Sequence, residues 1–429
     1  STDPAYAQEC EKAADWLVAE LTSIGFTAQA YKTAGHPIVL AQCEGVEENS
    51  KHVLFYGHYD VQPVDPINLW QGDPFEPRVS QDNKHIIARG ASDDKGQIMT
   101  FIEACRAYKK VKGGFPVKIT LLLEGEEEAG SKSLVPFLKE HVDKLKADFA
   151  LVCDTAMWDT QTPALTLGLR GCVAQEVVIK AANRDLHSGA FGGVAANPLK
   201  VLSQILGQLH DKEGRVTLED FYKDVRETPK NILQMWEQLG CTAEDFLSPV
   251  GLSQPDGEKN RGILECLWAR PTAEINGISG GYTGEGFKTV IPACASAKVS
   301  FRLVYDQNPQ QVIEAFQKFV RERLPKDCQA KFIDHGASKA VQLPYDLEVL
   351  APVKQALKDE WEKEAVLIAA GGSIPVVGDF QEILGLQSLL IGFGLEDDNI
   401  HSPNEKYDMR SFQKGQKSWI RILEVLGQQ

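Results

Sequence analysis

The chain has 429 residues, 43% hydrophobic and 24% charged, an ordinary globular composition and more length than one hydrophobic core usually serves. Its net charge of −15 argues against non-specific nucleic-acid binding, which needs a basic surface. No apolar run approaches the roughly 20 residues of a membrane span, and no secretory leader is expected at the head of the sequence. Nine cysteines, scattered singly and without a CxxC pair, suit the reduced thiols of a cytoplasm.

In chain order, apolar residues first recur at helical spacing over 5–24 (Ala14, Trp16, Leu17, Leu21), ending near Gly25. Strand-like runs at 37–43, 52–57, 117–123 and 147–153 then alternate with helical patterns at 95–111 and 133–146. Such alternation predicts an α/β domain with a largely parallel sheet. The pattern changes near 165. A strand at 171–181 and a helix at 197–210 precede a polar stretch, rich in helix and loop, that runs to about 270. A strand at 295–305, a helix at 309–324 and a strand at 328–334 complete a small α+β unit. The α/β style returns after 340, with a helix at 346–363, a strand at 387–393 and a closing helix at 411–426. The expected organisation is an α/β domain in two parts, 1–165 and 339–429, interrupted by a second domain over 166–338.

Functional groups in α/β sheets gather beyond the carboxyl ends of the strands. The run at 52–60 leads into His58 and Asp60, the run at 117–131 into Glu126, Glu127 and Glu128, the run at 149–154 into Asp154, and the run at 389–406 into His401. Asp93 and Asp94 open a helix behind Gly90. Clustered carboxylates repel unless cations neutralise them. Two histidines with several Asp and Glu residues suit Zn²⁺ and related divalent ions, and one bridging carboxylate would make a two-metal site. A neighbouring Glu that binds no metal could take a proton from water. Taken singly, each residue also fits a plainer role: His58 as a loop histidine, the glutamates as a solvated helix start, Asp154 as a cap.

The motifs GHYDVQP (57–63), RGASDDKG (89–96), EGEEEAGS (124–131), DLHSG (185–189), KTVIP (288–292), RLV (302–304), GGSIP (371–375) and HSPNEK (401–406) run through most of the chain. In this order they resemble the M20 family of co-catalytic zinc metallopeptidases. The similarity is strongest to the dipeptidase branch, which holds the cytosolic non-specific dipeptidases and the carnosinases. The resemblance implies two divalent metal ions, zinc or alternatively manganese or cobalt. His58 and Asp154 would bind one, Glu128 and His401 the other, and Asp93 would bridge them. It further implies Asp60 as the partner of the His58 ring, Glu127 as general base, and a cis peptide after Asp93. The insert would be a lid and dimerisation domain whose His187 serves the active site of a second subunit. Arg302, Thr289, His335, Gly372 and Ser373 would line the substrate pocket, with Arg302 holding a substrate carboxylate. The implied reaction is hydrolysis of dipeptides or short peptides. An N-acyl-amino-acid amidohydrolase would use the same machinery, and a non-catalytic binding protein is the alternative from another class.

Overall fold

The Ala7–Ile24 helix turns Ala14, Leu17, Leu21 and Ile24 inward. Trp16, one position before Leu17 and so about 100° around the helix, stays half exposed. Gly25 ends the helix with φ 103°, a left-handed conformation that glycine adopts without a Cβ penalty. In this computed structural model, which describes residues 6–47, 50–372 and 374–428, the chain divides into two units. One comprises Ser1–Leu167, Leu343–Ile368 and Asp379–Gln429; the other comprises Gly168–Gln342 and Ala369–Gly378.

The sheet of the first unit runs in the order Thr27–Tyr31, Ile38–Cys43, Lys118–Glu124, His52–His58, Phe149–Val152, Ser388–Leu390, Ala164–Leu169. Its centre is parallel: His52–His58 lies between Lys118–Glu124 and Phe149–Val152, and Ser388–Leu390 follows. The flanking pairings are antiparallel. The central strands are apolar runs buried on both faces, as parallel strands under helices must be. The helix Lys95–Lys112 covers one face and meets the last helix, Met409–Leu426. Phe55 stacks on Phe101 at 3.8 Å between centroids, and Trp419 closes edge-on against both rings. The helical pattern at 133–146 breaks at His141 into Leu134–Glu140 and Val142–Leu145.

A small antiparallel sheet joins Arg78–Val79, His85–Ile87 and Lys406–Asp408. It ties the segment before Asp93 to the segment after His401.

The second unit is an antiparallel sheet in the order Thr272–Gly280, Cys294–Leu303, Gly171–Lys180, Gln329–Ser338. Burial alternates along Gly171–Lys180. Val173, Val177 and Phe301 share a core with Leu202 of the helix Pro198–Leu206 and Phe316 of the helix Pro309–Glu322. The chain is thus α/β with an inserted α+β unit.

Candidate metal centre

Because the central strands are parallel, their carboxyl ends share one edge. In register, His58 pairs with Glu124 on one side, and Tyr56 pairs with Val152 on the other. His58 therefore ends its strand where the glutamate run and Asp154 begin. Ser388–Leu390 leads from the same edge into the loop of His401.

Seven of the expected residues converge there. His58, Asp93 and Asp154 offer ligand atoms within 4.8 Å of one another, and so do Asp93, Glu128 and His401. The two trios share Asp93, whose oxygens divide between them. Oδ1 lies 3.0 Å from His58 Nε2, and Oδ2 lies 2.9 Å from His401 Nε2. His58 Nε2 is 3.9 Å from Asp154, and His401 Nε2 is 3.4 Å from Glu128. Asp60 Oδ1 lies 3.3 Å from the other ring nitrogen of His58, leaving Nε2 to face the cluster. Asp60 also accepts the backbone N–H groups of Glu127 and Glu128, at 3.2 and 3.1 Å. The Asp93–Asp94 peptide is cis, as the resemblance implies.

Charge in this cluster is unbalanced. Burial, with the nearby Asp154, pushes Glu127 up to about 8. Burial with Asp93 raises Glu128 to about 7 and Asp154 to about 6. Burial opposes ionisation of Asp93 too, yet contacts from His401 and His58 hold it well below the usual carboxylate range. Burial would lower the His58 pKa, but Asp60 and Asp93 drive it well above the ordinary histidine value. Two imidazoles do not offset this many carboxylates, whereas divalent cations would. The donors, imidazole nitrogens and carboxylate oxygens, are those that zinc and its neighbours take. Glu128 Oε1 is buried and makes no hydrogen bond, so it has an uncommitted lone pair facing His401. The residues fit the group.

Three further side chains shape the site; the sequence pointed to Asp94 only as part of a helix start, and to Gln62 and Glu405 not at all. Gln62 donates to Glu128 Oε2 at 2.6 Å. Buried Asp94 accepts the backbone N–H of His58 at 3.1 Å and the thiol of Cys153 at 3.3 Å. Glu405 accepts four hydrogen bonds from the segment 89–93. Gln62 and Glu405 lie inside quoted motifs, but nothing in residue type or spacing sets them apart there.

The other expected residues belong to the second unit. His187 is exposed and caps the short helix Ser188–Phe191; its Nδ1 accepts from Gly189 N at 3.0 Å. Thr289 is exposed, and its carbonyl accepts from Ser188 N. Arg302 pairs in register with Cys172 and Thr272. His335 Nε2 lies 3.1 Å from Glu176. The Gly372 carbonyl accepts from Arg170 N at 3.2 Å. Ser373 lies outside the described residues. Arg170, which sequence reading passed over, donates from Nε to the Gly371 carbonyl at 3.0 Å. Burial and the charge of Arg302 lower it to about 10. Neither arginine has an ion-pair partner among the described residues.

Residues 54–425 match Peptidase family M20/M25/M40, and the chain belongs to this family. It is a hydrolase of the metallopeptidase class, and its relatives include dipeptidases. It is 32% identical over 395 residues to a Cys-Gly metallodipeptidase of Saccharomyces cerevisiae, spanning 90% of this chain and 82% of that one. Against the human Beta-Ala-His dipeptidase the identity is 30% over 398 residues, spanning 91% and 78%. Among solved structures, the di-peptidase Dug1p of S. cerevisiae superposes with a TM-score of 0.80 at 28% identity, over 100% of this chain and 93% of that one. The M20 family metallo-carboxypeptidase Sso-CP2 of Sulfolobus solfataricus gives 0.84 at 31%, over 98% and 95%. No helix among the described residues is long and apolar enough to cross a membrane.

Proposed function

We propose that the protein is a dinuclear metal-dependent hydrolase that cuts the peptide bond of dipeptides or short peptides. The observation that carries this reading is the pair of ligand trios sharing Asp93. His58 and Asp154 would hold one divalent ion, Glu128 and His401 the other, with Asp93 between them; zinc suits the donors best. When bound, the ions supply Lewis-acid activation of water and of the scissile carbonyl.

The chain's own residues do the rest. Glu127 lies next to the ligands, and no described residue hydrogen-bonds its carboxylate. It takes a proton from the attacking water and passes it to the leaving amine. Asp60 holds the backbone of Glu127 and Glu128 and fixes the ring of His58. His187 accepts at Nδ1, so the proton of its neutral ring sits on Nε2, as an oxyanion donor requires. Arg302, with Arg170 beside it, suits a substrate carboxylate, and Gly372, Ser373, Thr289 and His335 would complete that pocket. A terminal carboxylate as anchor favours short substrates.

A homodimer, with His187 serving the partner's site, follows from the same reading. It is supported by the outer strand Thr272–Gly280, whose Ile275 and Ile278 are 42% and 54% exposed and suited to cover by a second copy. The nine free thiols suit a reducing, cytoplasmic setting. The amidohydrolase alternative gains nothing from the relatives, which are dipeptidases.

The test combines metal analysis with a substrate panel. Purified, fully loaded protein should hold about two divalent ions per chain. Chelation should abolish activity, and dipeptides should outcompete N-acetyl amino acids. Full activity in verified metal-free protein would refute the metal reading, and preferential cleavage of N-acetyl amino acids would refute the substrate reading.

A further inference from the structure

Glu405 is fully buried and lies four residues after His401. A buried carboxylate is costly unless it is paired and hydrogen-bonded, and this one is satisfied on both oxygens. Oε2 accepts from Arg89 Nη1 and from the backbone N–H of Gly90, each at 2.9 Å. Oε1 accepts from the backbone N–H of Ser92 at 2.9 Å and of Asp93 at 3.0 Å. Its own carbonyl accepts from Ala88 N at 3.1 Å. The segment 88–93 is wrapped around one residue, and 89–93 around its side chain. Gly90 makes the wrap feasible: with its φ of 80° its own N–H and those of Ser92 and Asp93 reach the same carboxylate.

The far end of Arg89 is anchored as well. Its Nη2 donates to the Pro63 carbonyl at 3.1 Å, and its guanidinium lies over the Trp70 ring. Glu405 is therefore fixed to the frame, and the loop is fixed to Glu405.

With the N–H of Asp93 turned to Glu405, its side chain reaches His58 with one oxygen and His401 with the other. Glu405 has no lone pair to spare for a metal and touches no reacting atom. The geometry points to Glu405 as a positioning residue that clamps the loop of the shared ligand Asp93 to the loop of His401, setting the spacing between the two metal positions. This inference rests on the metal reading above. A single carboxylate suits the task because four N–H donors converge on two oxygens. An amide would present its NH₂ group to two of those donors.

The test uses the full-length chain, stripped with a chelator and titrated with Co²⁺. Affinity and the visible absorption of the bound ion are both measured. Glu405→Gln should bind Co²⁺ about 10–100-fold more weakly, as loss of a partner that orients a ligand typically does. Its absorption bands should be altered, and both ions should be affected because both share Asp93. Glu405→Asp keeps the charge and should recover part of the loss. Asp398→Asn is the control. Asp398 holds the same region through Ser92 Oγ, Leu395 N and Lys406 but makes no bond to Asp93, so this variant should bind Co²⁺ nearly as the parent does. A purely structural role would lower the melting temperature while leaving the affinity and spectrum of the folded protein unchanged, and that result overturns the proposal. If Glu405→Gln yields no folded protein, parental Co²⁺ affinity in Glu405→Asp overturns it instead. Failure of the parent protein to bind Co²⁺ overturns the metal reading itself, and this inference with it.

Discussion

Glu127 and Glu128 are neighbours in sequence, yet different things hold them. Gln62 restrains one oxygen of Glu128 and leaves the other facing His401, whereas the carboxylate of Glu127 is uncommitted. That difference supports the proposed division of roles, Glu128 as ligand and Glu127 as base, between two residues of identical chemistry. Glu127→Gln keeps the shape but cannot accept a proton, so turnover should fall about 100-fold or more with metal content nearly unchanged. Glu128→Gln should lose metal. Activity assays paired with metal analysis separate the two, and the reverse pattern would shift the roles by one residue. Four of the proposed ligands, His58, Glu128, Asp154 and His401, were legible from sequence because they follow apolar runs, where a parallel sheet delivers side chains to one edge, and Asp93 because it opens a helix behind Gly90. The parts that Gln62, Asp94 and Glu405 play were not, because they lie in which backbone N–H or carboxylate oxygen each meets, and no periodicity records that.

At the level of elements, the last glycine of RGASDDKG has a steric reason. A Cβ on Gly96 would lie 1.9 Å from the carbonyl oxygen of Ala91 and 2.8 Å from the Tyr407 ring. The first contact is with the backbone of the loop that carries Asp93, which cannot swing aside as a side chain could. Gly96→Ala should therefore cost about 1–3 kcal/mol of stability, as overpacking does, and should weaken metal binding as well. Denaturant titration and metal analysis check this, and a variant with parental values on both would show that the loop yields freely. Long elements with clear periods were read well, among them Lys95–Lys112, Pro309–Glu322 and Met409–Leu426. Several strands escaped, among them three of the longer ones. Thr27–Tyr31 and Thr272–Gly280 are outer strands without a clean buried face, and the latter is interrupted by a bulge between Ile275 and Gly277. Ala164–Leu169 is buried throughout, so it shows no alternation for period-based reading to find.

At the scale of the whole molecule, the proposed homodimer makes a prediction that neither subunit alone could satisfy. His187→Ala should have little activity for want of the oxyanion donor, and Glu127→Gln little for want of the base. Mixed and allowed to exchange, they form a heterodimer in which the His187→Ala chain keeps its base and receives His187 from its partner. Activity should return, up to about one working site per heterodimer. Demonstrated exchange with activity still at the mutant level would confine His187 to its own subunit.

The ligands are also spread unevenly along the chain, and protein synthesis runs in one direction. His58, Asp93 and Asp154 all exist once residue 154 has been added, whereas the trio of Asp93, Glu128 and His401 waits for residue 401. Glu405 follows, and then the helix whose Trp419 seals against Phe55 and Phe101. At about 5–20 residues per second, that interval lasts on the order of tens of seconds. A nascent chain on the ribosome would thus hold the proposed ligands for half a centre before it could complete the other half. On the proposed reading, hydrolytic power would arrive only with the segment that carries His401, and a chain released before it would be inert towards the peptides around it.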